Sequence, residues 1–155
     1  MFIRELHLHL DSPPSSVFTH IALEFFTNHP RWDPDIVELT QLSPGGIGVG
    51  TEGREVRRVG PFRFTTRFRI SAFEAPFSFA HDTIHGAMGE DVRYTIAPAG
   101  RGTDLRLELR IVPRVMPMRI LAPLINVGVA RNYRRNIVRF ERLLRSLPPA
   151  AEGAA

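Results

Sequence analysis

His81 and His85 stand four residues apart, with Thr83 between them, in a stretch where polar and apolar residues alternate. On a β-strand that spacing turns both rings and the threonine hydroxyl to one face. An imidazole changes charge close to neutral pH, so one that faces an enclosed space can donate or accept a proton. The same ring can equally be a hydrogen-bonded wall group, and His85 also fits the mouth of a hairpin. Tyr94 falls on the matching face of the following strand, where its hydroxyl can orient a carbonyl or steady an enolate. Earlier in the chain an acid and an arginine share a face. They are Glu52 with Arg54 or, with the strand shifted by one residue, Glu55 with Arg57. An arginine fork suits a carboxylate, so such a pair can hold a polar ligand group or close on itself. Val56 favours the alternative with Glu52 and Arg54 inward.

Asn132 and Asn136 lie four apart in a helical pattern, where asparagine is a poor choice unless its amide has a task. They can hydrogen-bond a ligand or simply face water. Trp32, the sole tryptophan, follows the helix-breaking Pro30. His7 and His9 alternate with leucines and should face solvent. No third ligand accompanies His81 and His85, so no metal site and no cofactor are expected. Gly45, Gly46, Gly48 and Gly50 lack the strand–loop–helix setting of a phosphate loop.

Composition removes several chemistries. There is no cysteine, which excludes disulfides, thiolate metal sites and a cysteine nucleophile, and all 20 basic residues are arginine, which excludes a Schiff-base lysine. The net charge of +4 is spread among acids such as Asp33, Asp35 and Glu38, so it reads as a solvated surface rather than a nucleic-acid footprint. The first ten residues carry an arginine, an acid and two histidines instead of an apolar run, unlike a signal peptide. No stretch of apolar residues is long enough to span a bilayer. A cytoplasmic protein is expected.

The elements that must hold these residues follow from periodicity. Residues 2–10 put Leu6, Leu8 and Leu10 on one face and Glu5, His7 and His9 on the other, a half-buried strand. Asp11-Ser12-Pro13-Pro14 starts a helix carrying Val17, Phe18, Ile21, Ala22, Phe25 and Phe26, which Asn28-His29-Pro30 should stop. Residues 36–42 and 48–59 read as strands. Beyond them, Phe64, Thr66, Phe68, Ile70 and Ala72 alternate with polar residues. A two-residue turn at Ala75-Pro76 would pair Ala72 with Phe79, Ile70 with His81, Phe68 with Thr83 and Thr66 with His85. A hairpin at Met88-Gly89 would set Val92, Tyr94 and Ile96 opposite His85, Thr83 and His81. One at Ala99 to Gly102 would set Leu105, Leu107 and Leu109 opposite Ile96, Tyr94 and Val92. All three turns preserve a single inner face. Residues 118–147 form a long helix with the stripe Leu121, Leu124, Ile125, Val129, Tyr133, Ile137, Phe140, Leu144 and Leu147. This places His81 in the cavity near Asn132 or Asn136.

One strand, a short helical segment, six antiparallel strands and a closing helix form an order that resembles the START-like helix-grip superfamily, also called SRPBCC. Its members include birch-pollen-type allergens, lipid-transfer START domains and aromatic polyketide cyclases. The resemblance is carried by Asn28-His29-Pro30-Arg31-Trp32-Asp33-Pro34, by Gly48-Val49-Gly50-Thr51, by Pro98-Ala99-Gly100-Arg101-Gly102-Thr103 and by Phe140-Glu141-Arg142-Leu143-Leu144. It implies an α+β fold in which a curved antiparallel sheet of about seven strands wraps a long C-terminal helix, with short helices after the first strand and a ligand cavity. One domain would cover residues 1–147, followed by a disordered tail over 148–155. The resemblance further implies a hydrophobic small-molecule ligand, polyketide- or lipid-like. One reading is cyclisation or dehydration, with His81 as acid/base and Tyr94, Arg54 or an asparagine steadying enolate charge. The alternative is a carrier or sensor without catalysis, and a third is an adaptor using the arginine-rich helix face. Thr66, Phe68, Thr83 and His85 would join Trp32, Glu52, Arg54, Asn132 and Asn136 around the ligand. The partners expected are that ligand and, as an option, a second copy of the chain, with no nucleic acid and no integral membrane.

Overall fold

In the computed structural model, which describes residues 1–151, the alternating segments build β1 (Phe2–Leu10), β2 (Ile36–Gln41), β3 (Glu52–Val59), β4 (Phe62–Glu74), β5 (Ser78–His85), β6 (Met88–Ala99) and β7 (Gly102–Pro113). They form one antiparallel sheet in the order β1-β7-β6-β5-β4-β3-β2. Between β1 and β2 run α1 (Pro14–Phe18), a π-helical turn (Thr19–Leu23) and α2 (Phe25–Trp32). After β7 come α3 (Met116–Ile120) and the long α4 (Ala122–Arg145). This is the helix-grip arrangement: one sheet face packs on helices and the other is wet.

The wet face is held by charge. Glu52 accepts from Arg67 at 2.7 Å and Arg69 at 2.6 Å, and Arg106 meets Glu108 at 3.0 Å. The inner face is apolar and aromatic. Phe79, Ile70, Tyr94, Ile96 and Leu105 are almost fully enclosed, together with Phe140 and Leu144 of α4. The Phe140 ring lies 4.7 Å from Trp32 and 6.1 Å from Tyr94, joining α4 to both α2 and the sheet.

Several details depart from the periodic pattern, each for a local reason. The β6–β7 pairing is as expected, Tyr94 opposite Leu107 and Val92 opposite Leu109. Ile70 opposite His81 and Phe68 opposite Thr83 also hold. The β4–β5 link, however, spans three residues, with Glu74 opposite Ser78, and a bulge between Ile70 and Ala72 absorbs the difference. The bulge turns Phe73 inward, where it packs 5.1 Å from Phe18 and 6.1 Å from Phe79, so Ala72 no longer faces Phe79. A second irregularity sets Arg67, not Thr66, opposite His85.

Between β5 and β6 the parity is right but the register slides. His81 faces Val92 and Phe79 faces Tyr94, instead of Ile96 and Thr83. The ladder ends at Asp82 and Asp91 because the Thr83 hydroxyl takes over from the backbone. Its Oγ1 accepts from the Glu90 N–H at 2.8 Å and donates to the Glu90 carbonyl at 2.9 Å. Beyond this clasp β5 and β6 separate.

The helices differ from expectation at their prolines. α2 runs through Pro30 to Trp32, and the break falls earlier, at the π-helical turn. Stacking of His29 on Trp32, 4.4 Å apart and 16° from parallel, holds this last turn although Pro30 cannot donate to Phe26. The closing helix is split at Leu121, since Pro123 lies in the first turn of α4 and lacks the N–H that would bond back to Arg119 across the break. Leu121 and Leu124, expected in the buried stripe, are 47% and 71% exposed. Past α4, the Ala150 N–H donates to the Asp11 carbonyl at 3.0 Å, so the first part of the segment expected as a disordered tail lies against the end of β1. The rest of that segment, residues 152–155, lies outside the described residues.

Phe140 is 1% exposed at the junction of α4, α2 and β6. Replacing it by alanine is expected to lower the unfolding free energy by about 3–5 kcal/mol, read from urea denaturation. An unchanged midpoint would show that α4 docks elsewhere.

Candidate functional site

Between α4 and the inner face of the sheet lies a cavity of about 160 Å³. It sits toward the end of the sheet where β6 begins and β7 finishes. Leu107, Leu109 and Ile111 of β7 and Ile125, Val129 and Ile137 of α4 supply apolar walls. The helical stripe therefore does two things. Its C-terminal part seals the core through Phe140 and Leu144, and its middle part lines the open space.

The other end of the cavity is charged. The Arg57 side chain, 20% exposed, points inward from β3. Its Nη1 donates to Asp33 at 2.7 Å, its Nε donates to Glu55 at 2.9 Å, and its Nη2 stands 3.9 Å from Glu90. Asp33, where α2 ends, also accepts from Asn136 Nδ2 at 2.8 Å and from the Asp35 N–H at 3.2 Å. Arg135 clasps Asp35 with both bonds at 2.8 Å and reaches the Asn136 side-chain oxygen at 3.3 Å. Burying a guanidinium is costly in desolvation unless carboxylates meet it. Burial opposes its charge, but Glu55, Asp33 and Glu90 outweigh that, so Arg57 stays protonated.

The surplus of acids acts on Glu90. Burial disfavours its anion, and although Arg57 opposes this, Glu55 and Asp33 add to it, raising the carboxyl to about 7. Part of the Glu90 population therefore keeps its proton at neutral pH. The Tyr94 phenol, also on the lining, is pushed well above its ordinary value, first by burial and then by Glu90 and Asp33, and stays neutral.

Residues 5–145 match the family model described as "Polyketide cyclase / dehydrase and lipid transport". The chain belongs to that family. No curated protein matches it. Among solved structures, TTHA0849 from Thermus thermophilus is similar with a TM-score of 0.72 and 13% identity, covering 92% of this chain and 97% of its own. The Zhui aromatase/cyclase from Streptomyces sp. R1128 is similar with a TM-score of 0.70 and 15% identity, covering 94% and 96%. Ara h 8.0201 follows the same course with a TM-score of 0.60 and 11% identity over 90% and 98%. At these identities the likeness speaks for the fold.

Of the residues singled out in the sequence, Trp32, Thr66, Tyr94, Asn132 and Asn136 line the cavity of this polyketide cyclase/dehydrase-type domain. His81 does not. It is 4% exposed and faces inward, but α2 covers it, and its ring sits 5.2 Å from Phe25, 5.1 Å from Phe68 and 6.0 Å from Phe79. Neither ring nitrogen has a hydrogen-bond partner among the described residues. Phe68 and Thr83 belong to the same packed region outside the cavity, Thr83 as the clasp on Glu90. His85 is exposed, because the irregularity in the β4–β5 ladder sets it opposite Arg67 on the wet face. Glu52 and Arg54 face outward, toward Arg67 and Arg69 and toward Glu38 respectively, and the alternative pair Glu55 and Arg57 faces the cavity. Gly53 decides this register: a side chain there would collide with the Phe68 ring and crowd Phe26, so the inward positions of β3 are Gly53, Glu55 and Arg57.

Glu90 was missed in the sequence. It lies in Glu90-Asp91, next to an expected turn, and reads as surface charge. The two-residue step to Val92 and Tyr94 was the available signal, since it puts Glu90 on their face.

Burial lowers the His81 imidazole to about 4, against an ordinary 6.5, and His29 moves the same way. The unfolded chain therefore binds a proton at His81 that the folded chain refuses, and stability falls as pH drops from 6.5 toward 4. Glu90 works in the opposite sense, losing stability as pH rises from 4.5 toward 7. His81→Phe should isolate the first effect. In urea titrations across that window the variant is expected to lose less stability than the parent, by an amount on the order of 3 kcal/mol at the acid end. Equal losses would place the ring in contact with water.

Proposed function

We propose that this domain binds a hydrophobic small molecule, polyketide- or lipid-like, between α4 and the sheet, with its polar end against the Arg57 group. The observation that carries this reading is the cavity itself, whose apolar walls end in one cluster of buried, hydrogen-bonded charges. Apolar pockets with a few convergent polar groups are the usual form of small-ligand sites. The family description, which names polyketide cyclisation or dehydration and lipid transport, supports the same ligand class. The aromatase/cyclase among the similar structures agrees with it.

One observation favours turnover over carriage. Glu90 stands at the cavity with its carboxyl at about 7, the range in which a group both takes and returns protons at neutral pH. It would remove a proton beside a ligand carbonyl and return one to a departing hydroxyl, and the neutral Tyr94 phenol would donate to the enolate oxygen. His81, sealed among phenylalanines, is not part of this proposal.

Displacement of the neutral fluorophore N-phenyl-1-naphthylamine tests binding. Val129→Trp fills the cavity from α4, and is expected to weaken the fluorophore by about tenfold or more while the melting temperature is kept. Undiminished binding would locate the ligand elsewhere. For turnover, carbon-detected NMR of the Glu90 carboxyl should show a midpoint near 7, and a midpoint at 4.5 would remove it as the proton-transfer group.

A further inference from the structure

The charged end of the cavity holds more acid than base. Asp33, Glu55 and Glu90 surround the single guanidinium of Arg57, while Asp35 is answered by Arg135 from the surface of α4. Arg57 directs its hydrogen bonds to Asp33 and Glu55. At 3.9 Å it is too far to donate to Glu90, whose carboxyl accepts no hydrogen bond from another side chain among the described residues. Tyr94 provides an independent observation. It is 2% exposed and lines the cavity, and its hydroxyl makes no hydrogen bond among the described residues. Asn132, on the same lining, is also without a side-chain partner there.

A surplus carboxylate against apolar walls is unfavourable, and so is a polar group left unpaired. An incoming carboxylate or phosphate would enlarge the surplus, and a neutral group would leave it unchanged. A cation would remove it. An ammonium group carries only donors, up to three, and the free groups here include three acceptors: a carboxylate, a phenol oxygen and an amide oxygen. We infer that the cavity selects ligands bearing a protonated amine on an apolar body, with the nitrogen between the Glu90 carboxylate and the Tyr94 hydroxyl. Burial holds a proton on part of the Glu90 population at neutral pH, and the ammonium takes that proton's place. The inference names the ligand class for the binding reading above and rests on that reading alone, since an ammonium held on Glu90 occupies the carboxylate that turnover would use as a base.

The test uses one carbon skeleton with three head groups: 2-naphthylmethylamine, 2-naphthylmethanol and 2-naphthoate, each displacing N-phenyl-1-naphthylamine from the full chain at pH 7 and low salt. The amine is expected to bind at least about tenfold more tightly than the alcohol, and the naphthoate most weakly. Glu90→Gln is expected to weaken the amine by about tenfold. If the alcohol or the naphthoate binds as well as the amine, this inference falls and the binding reading stands. If neither the fluorophore nor any naphthyl compound binds, both fall. An amine preference that survives in a folded Glu90→Gln overturns the placement of the nitrogen. Should that variant fail to fold, the ranking in the parent protein still decides.

Discussion

Arg57 sets the conditions for much of this molecule. A guanidinium facing an apolar interior is tolerable only where carboxylates meet it. Those carboxylates come from the end of α2, from β3 and from β6, and Asn136 of α4 holds the second oxygen of Asp33. One ion group therefore ties together the end of α2, the inward face of β3, the start of β6 and Asn136 of α4. The same arrangement charges one end of the cavity and leaves the other apolar.

The fold was legible because a strand with one wet face writes that fact into every second residue. Tyr94 opposite Leu107 follows from a tight turn and clean alternation on both sides, and the structure keeps it. Where side chains replace backbone pairing, alternation says nothing. The Thr83 hydroxyl clasping Glu90, and the bulge that admits Phe73, both move the register without disturbing the hydrophobic count. The helices show the same limit: proline marks a weak point but not which neighbour compensates, so stacking of Trp32 on His29 carries α2 past Pro30.

The site was less legible than the fold. Periodicity tells which face a residue is on, but not how far along that face the open space begins. His81 and Tyr94 are both inward, and only Tyr94 reaches the cavity because α2 lies over His81 with Phe25 and His29. The inward pair on β3 was open in the sequence, and Val56 pointed the wrong way. The deciding residue was Gly53, whose missing side chain makes room for the Phe68 ring, a steric fact with no hydrophobic signature. Glu90 went unnoticed because an acid in a polar stretch looks solvated until the residues opposite it are known.

The division of the cavity wall by element has a consequence for how such a domain diversifies. The charged end is assembled from α2, β3, β6 and Asn136, whereas the far wall is drawn from β7 and from apolar positions of α4 that touch no buried ion. Exchanges among Leu109, Ile111, Ile125 and Val129 change length and girth while every charge keeps its partner, so they carry only the modest penalty of repacking similar volumes. Head-group recognition and body shape are thus inherited separately: a lineage can explore new scaffolds for its ligand through single conservative steps, while a new head group requires several charged residues to change together.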